Sequence, residues 1–165
     1  MQKHLFLDLE DTVICPVASG ASGWTTSFII NEFKIKNFIE DTKPDHFHIF
    51  SFALHDEREI NGFINSLTKK SIEDTFKIKL ELLPTVEHMI SVFCRENKLA
   101  QNSVSLIDFI QLVGKQNAFR AFVRNQFRNA TEPVEIMLLD DVVFNESFSF
   151  DKIKGNIFNI DKLRI

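Results

Sequence analysis

The chain has no tyrosine, a single tryptophan and only two cysteines among its 165 residues. Cys15 and Cys94 stand far apart in no metal-like spacing, so a reduced, intracellular setting is the expectation. No stretch approaches the roughly 18 uninterrupted apolar residues of a membrane span. Residues 1–12 carry Asp8, Glu10 and Asp11 and lack a long apolar centre, which does not read as a secretory leader. A cytoplasmic location without a membrane partner is therefore the expectation. With 5 glycines and 4 prolines there is no linker rich in either, and neither repeats nor low-complexity tracts appear. Residues 1–165 therefore read as one domain. The net charge of -4 offers no general attraction to nucleic acid or anionic membranes.

What is present is an ordinary globular balance, 44% hydrophobic and 25% charged, in a chain long enough for a proper core. The 18 phenylalanines are a compositional skew without chemical content. Short apolar runs alternate with helical periodicities, the pattern of an α/β layered domain. Residues 4–9 (HLFLDL) form an apolar run that breaks into carboxylates. Residues 13–30 hold a Gly/Ser/Thr-rich loop or hairpin, a possible flap carrying Trp24, and residues 31–40 a short helix. Residues 46–52 (HFHIFSF) predict a second strand. Asp56 and Glu59 have capping-box spacing ahead of Ile60, Phe63, Ile64 and Leu67, the core face of a helix. Alternation over residues 76–82 predicts a third strand. Pro84 suits the first turn of a helix whose inner face is Val86, Met89, Ile90 and Phe93. Residues 103–128 read as helical around Gly114, residues 134–139 (VEIMLL) as a fourth strand and 156–160 as a fifth. Right-handed crossovers stack such units into a three-layer, mostly parallel α/β/α sheet of Rossmann-like type. Sites in such sheets lie beyond the carboxyl ends of the strands, which selects Asp8, Glu10, Ser51, Asp140 and Asp141.

Residues 5–12 (LFLDLEDT) resemble the first motif of the haloacid-dehalogenase superfamily, an apolar strand followed by Asp-x-Asp-x-Thr. Ser51 closes the second apolar strand as that family's Ser/Thr does. Lys115 begins a helix upstream of the fourth strand, and Asp140-Asp141 end it like the family's acidic metal motif. The resemblance spans residues 4–160 and implies a small, capless or minimally capped phosphatase fold. It departs at Glu10, where the family's phosphatases carry Asp.

The chemistry implied by the resemblance is coherent. Asp8 serves as the nucleophile that forms an aspartyl-phosphate, splitting one difficult displacement into two. Glu10 protonates the leaving oxygen and then deprotonates water. Crowding Asp8, Asp140 and Asp141 is tolerable only beside a cation, and oxygen ligands next to phosphate suit Mg²⁺. Ser51 donates to a phosphoryl oxygen, Lys115 supplies positive charge, and the family pattern adds the backbone carbonyl of Glu10 to the metal ligands.

With no sizeable insertion the site is expected to be open, which suits a phosphate on a macromolecule or a nucleotide. Arg120, Arg124 and Arg128 make an i, i+4, i+8 stripe that reads as a solvated helix face over an aromatic core; contact with an acidic partner or phosphate backbone is the other reading. His46 and His48 form an HxH without a nearby third ligand and read as structural. Two functions stay open: a Mg²⁺-dependent phosphohydrolase, or a catalytically weakened relative that binds and regulates a protein or nucleic-acid partner, which Glu10 and the arginine stripe motivate.

Overall fold

The structure is a computed structural model and describes residues 1–16 and 27–164. Residues 5–7 of the first strand are buried without any alternation, as a strand covered on both faces must be. That strand, β1 (Gln2–Leu7), is flanked by two parallel neighbours, β4 (His46–Ile49) and β5 (Val134–Asp140). Beyond β5 lies parallel β7 (Ile153–Asn159), and antiparallel β6 (Glu146–Phe150) closes the edge. The order β4-β1-β5-β7-β6 makes a mostly parallel five-stranded α/β sheet, compatible with a Rossmann-like arrangement. A separate antiparallel ribbon pairs β2 (Ile14–Pro16) with β3 (Ser27–Ile29), so the expected hairpin exists at its base. Its tip, with Trp24, lies outside the described residues.

The pleat sends Leu5 and Leu7 to one apolar layer and Phe6 to another. Leu5 and Leu7 meet Ile35 of α1 (Glu32–Thr42), Phe63 of α2 (Glu57–Ile64) and Ile72 of α3 (Leu67–Phe76). Phe6 meets Met89 of α4 (Val86–Glu96) together with Phe119 and Phe122 of α6 (Gly114–Gln126). Helices therefore cover both faces. The phenylalanine excess is spent largely here: Phe6 packs edge-on against Phe50, Phe119 and Phe122 at centroid distances of 6.3, 5.3 and 5.9 Å. Each buried ring contributes about 1.5–3 kcal/mol by leaving water.

Several expectations are corrected. Residues 76–82 are not a strand: Phe76 ends α3, Lys77 turns left-handed at φ 55°, and only Leu80 bridges Phe47 of β4. The helix begun at Asp56 stops at Ile64, because Ser66 accepts from the Lys69 amide and starts α3 afresh. Ile64 and Leu67 are consequently exposed rather than core. Pro84 precedes the cap of α4, which is Thr85 accepting from His88 N at 3.0 Å. Of the predicted inner face, Val86 and Met89 are buried and Ile90 and Phe93 packed in part, while Val92 and Cys94 are buried as well. The second strand ends at Ile49, leaving Ser51 just beyond it. The last strand begins earlier than expected, at Ile153, and β6 has no counterpart among the expected strands, its short polar-alternating run being hard to tell from a loop. The Asp56 cap, by contrast, forms as read, accepting from Glu59 N at 3.0 Å.

Candidate functional site

After β1 the chain goes to β4 on one side of it, then returns through the helical stretch between residues 57 and 126 to β5 on the other. The sheet thus changes winding direction at β1, and the carboxyl ends of β1, β4 and β5 diverge there into a cleft. Sheet hydrogen bonding continues one residue past β1: Asp8 N donates to Leu139 O at 3.0 Å, and Phe50 N donates to Leu7 O at 2.9 Å. These bonds fix Asp8, Ser51 and Asp140 side by side at the sheet's edge. Behind Asp8 the chain reverses tightly, with the Val13 and Ile14 amides both donating to Leu9 O and Asp11 held at φ 65°. The reversal carries Thr12 back onto Asp8.

Asp8 is buried and held from two sides. Lys115 Nζ donates to Oδ1 at 3.0 Å and Thr12 Oγ donates to Oδ2 at 3.1 Å. Lys115 Nζ also lies 2.8 Å from Asp140 Oδ2. The lysine reaches this point because the helical run preceding α6 is interrupted. A short turn, α5 (Leu106–Asp108), runs into a π turn (Phe109–Val113), and Gly114 then breaks it at φ 78°, ψ 169°. That region is essentially closed to residues with a Cβ, and π turns of this kind occur often at functional sites. Lys115 falls in the first turn of α6, its ammonium 4.9 Å from the Phe52 ring centre and 5.7 Å from that of Phe50. Burial disfavours its charge, but Asp8 and Asp140 outweigh that and hold its pKa above the ordinary lysine value.

Asp8, Asp140 and Asp141 each bring a carboxylate oxygen within 4.8 Å of the others. Asp140 is fully buried; its Oδ1 accepts from Val142 N at 2.9 Å, while Oδ2 has no aligned hydrogen bond despite the nearby ammonium. Burial pushes Asp140 up from the usual carboxylate value against the pull of Lys115. Burial, followed by the charges of Asp8 and Asp140, raises Asp141 to about 6. Oxygens bound on opposite sides of one Mg²⁺ lie about 4.2 Å apart, so small side-chain adjustments would seat the ion. An all-carboxylate set with a buried oxygen lacking an aligned donor fits such a cation.

The six residues singled out in the sequence fall into two groups. Asp8, Lys115 and Asp140 form the buried centre, with Asp141 beside it. Ser51 and Glu10 line the same cleft, of about 900 Å³. Ser51 is buried, its Oγ accepting from Ala53 N at 3.1 Å, which leaves its proton available to another acceptor. Glu10 is exposed at the mouth, outside the carboxylate trio. Burial and then Asp8 and Asp11 raise its pKa above the ordinary value, and nearby His55 opposes them. Sequence reasoning gives Thr12 no role in the site, although it completes the Asp-x-Glu-x-Thr segment. Asn31, whose Nδ2 donates to Thr12 O at 2.8 Å, has no sequence signal.

The remaining candidates lie elsewhere and are engaged internally. Arg120 pairs with Glu146 at 2.5 Å, Arg124 stacks on Phe150 at 4.0 Å, and Arg128 pairs with Glu96. His46 and His48 stack with His4 at 4.6 and 5.1 Å. No family model matches the chain, and neither a curated protein nor a solved structure matches it significantly. Among the described residues no helix is long and apolar enough to cross a membrane.

Proposed function

We propose that this protein is a Mg²⁺-dependent phosphohydrolase of haloacid-dehalogenase type, with Asp8 as its nucleophile. The observation that carries the reading is the setting of Asp8. Its carboxylate is clamped by Lys115 and Thr12 at the winding change of a parallel sheet, with Asp140 and Asp141 close enough to share a cation.

In this reading Asp8, Asp140 and Asp141 hold the Mg²⁺, with the Glu10 backbone carbonyl as a further ligand. The ion supplies charge neutralisation for the incoming phosphoryl group. Lys115 adds a fixed positive charge beside the nucleophile, and Ser51 turns its hydroxyl proton toward a phosphoryl oxygen. Thr12 restrains the Asp8 carboxylate, so that the other oxygen faces phosphorus. Attack forms the Asp8–phosphorus bond and breaks the ester bond, the leaving oxygen taking its proton from Glu10. Glu10 then accepts a proton from water as the acyl phosphate is hydrolysed, which releases inorganic phosphate, restores the Asp8 carboxylate and returns Glu10 to its protonated acid. The longer arm of Glu10 fits its station at the mouth of the cleft, and the absence of an added domain among the described residues leaves the site open.

The arginine stripe, which with Glu10 motivates the partner-binding reading, gives that alternative little support once its members are engaged with Glu146, Phe150 and Glu96. The test is hydrolysis of p-nitrophenyl phosphate by the purified protein with Mg²⁺ or EDTA. Turnover that requires Mg²⁺ and disappears in Asp8→Asn is the expected result. No turnover in the wild type, with turnover gained in Glu10→Asp, turns the assignment toward a non-catalytic binding protein.

A further inference from the structure

The cleft over Asp8 is asymmetric. On one side the π turn contributes Ile110 and Val113; on the other the loop after β5 contributes Val142 and Phe144. Val142 is 72% and Phe144 63% exposed, so large apolar surface stands open to solvent within reach of the nucleophile. Scattered apolar residues on a surface need no explanation, but a cluster converging on one cleft marks a contact surface. The same cleft is poor in positive charge. Lys115 is the only lysine or arginine lining it among the described residues, and Asp8 and Asp140 already flank that ammonium. Even a divalent cation only balances the centre: Asp8, Asp140 and Asp141 against Lys115 and the ion sum to zero. Asp11 remains on the wall, and Glu10, protonated as the acid, adds no positive charge to it.

We infer that the group esterified to the phosphate is uncharged and apolar, and that it rests on Phe144 and Ile110. This deepens the phosphohydrolase reading and rests on it. A nucleotide or nucleic-acid end brings further phosphates, which Asp11 repels and no arginine or lysine of the cleft receives. An apolar leaving group instead loses water against Phe144 and Ile110 while its single phosphate reaches Asp8. Within this reading, the open cleft selects substrates by the character of the leaving group.

The test compares three alkyl esters, so that leaving-group reactivity is matched: ethyl phosphate, 2-(2-naphthyl)ethyl phosphate and a 5′-phosphorylated dinucleotide. The naphthylethyl ester is expected to exceed both others by about tenfold or more in kcat/KM, the range typical of apolar pocket discrimination. Phe144→Ala and Ile110→Ala should each lower the naphthylethyl-to-ethyl ratio severalfold, whereas Phe33→Ala, an exposed residue of α1, should leave it unchanged. Hydrolysis of ethyl phosphate without a naphthyl preference, or with the dinucleotide preferred, overturns the inference and leaves the phosphohydrolase standing. If p-nitrophenyl phosphate is not hydrolysed either, the enzymatic reading has failed. Calorimetric binding of 2-(2-naphthyl)ethyl phosphonate then decides the contact: severalfold weaker binding to Phe144→Ala sustains it, and equal or no binding ends it.

Discussion

The ammonium of Lys115 lies 3.0 Å from Asp8 Oδ1, and both side chains are more than nine-tenths buried. A second buried carboxylate, Asp140, shares the same ammonium at 2.8 Å. One positive charge therefore holds two negative ones out of water. Removing one partner of such a buried set leaves uncompensated charge and costs about 3–5 kcal/mol. Lys115→Met is expected to lower the urea midpoint by a corresponding amount and to abolish turnover. Mg²⁺ should restore more stability to this variant than it adds to the wild type, because the carboxylates then have no other cation. Equal midpoints for variant and wild type without Mg²⁺ would show that the ammonium is not holding the pair.

The same cluster makes cation binding measurable without catalysis. A ligand that binds only the folded state stabilises it by about 2.7 kcal/mol at a hundredfold excess over Kd. Mg²⁺ should raise the thermal midpoint relative to EDTA, and Asp141→Asn, at the open side of the trio, should remove most of that rise. A wild-type midpoint indifferent to Mg²⁺ argues against a cation site.

Much of this site was legible in the sequence because strand ends are. Residues 5–9 lose their apolar run at Asp8, and residues 134–139 lose theirs at Asp140, so the sheet-end rule alone brought these carboxylates together. Parallel pairing of β1 with β5 then places Leu7 opposite Leu139, one residue before each acid. Lys115 could be marked only through the family pattern, since its arrival depends on a π turn and a glycine conformation that periodicity does not encode. Residues 76–82 misled for the converse reason. Their alternation is real, but Ser66 starts a helix that consumes Phe76, and the segment after it joins β4 only over residues 80–82, through the single bridge Leu80–Phe47 and the hydrogen bonds of Glu81 and Leu82 beside it. The Ile64 and Leu67 error has the same root, one long amphipathic period cut by a serine cap.

Glu10 differs from Asp8 in exposure, and its proposed role can be separated from the nucleophile's by leaving-group chemistry. An alkoxide needs its proton during bond breaking, whereas p-nitrophenolate leaves readily without one. Glu10→Gln should therefore depress turnover of alkyl phosphates by about 10²–10⁴-fold, the usual contribution of a positioned acid, with a much smaller effect on formation of the phospho-enzyme from p-nitrophenyl phosphate. Rapid-quench measurement of the first turnover distinguishes the two. Equal losses for both leaving groups would instead make Glu10 a positioning residue.

The histidine stack predicts how stability depends on pH. Leu82 N donates to His48 Nδ1 at 3.1 Å, so His48 carries its proton on Nε2 and donates it to His4 Nδ1 at 2.8 Å. Both rings are thus held neutral. Burial, reinforced by His4 and His46, lowers His48 to about 3. Burial and His46 lower His4 to about 4, against the opposing pull of Glu81 and Asp45. In the unfolded chain both titrate near the ordinary value of about 6.5. Below that pH the unfolded state binds protons the folded state refuses, so ΔG of unfolding falls as pH falls, by up to about 1.4 kcal/mol per pH unit for each histidine. The contribution is complete above about pH 6.5 and is lost as pH drops toward the folded values. Urea midpoints between about pH 7.5 and 5, a window that brackets the unfolded value, should decline in the wild type. They should flatten in a His4→Phe/His48→Gln variant, whose glutamine oxygen can still accept from Leu82 N. Because Asp141, raised to about 6, pulls stability the other way below that pH, the deciding comparison is between the two proteins: a variant whose midpoint follows the same pH course as the wild type's rules out the stack.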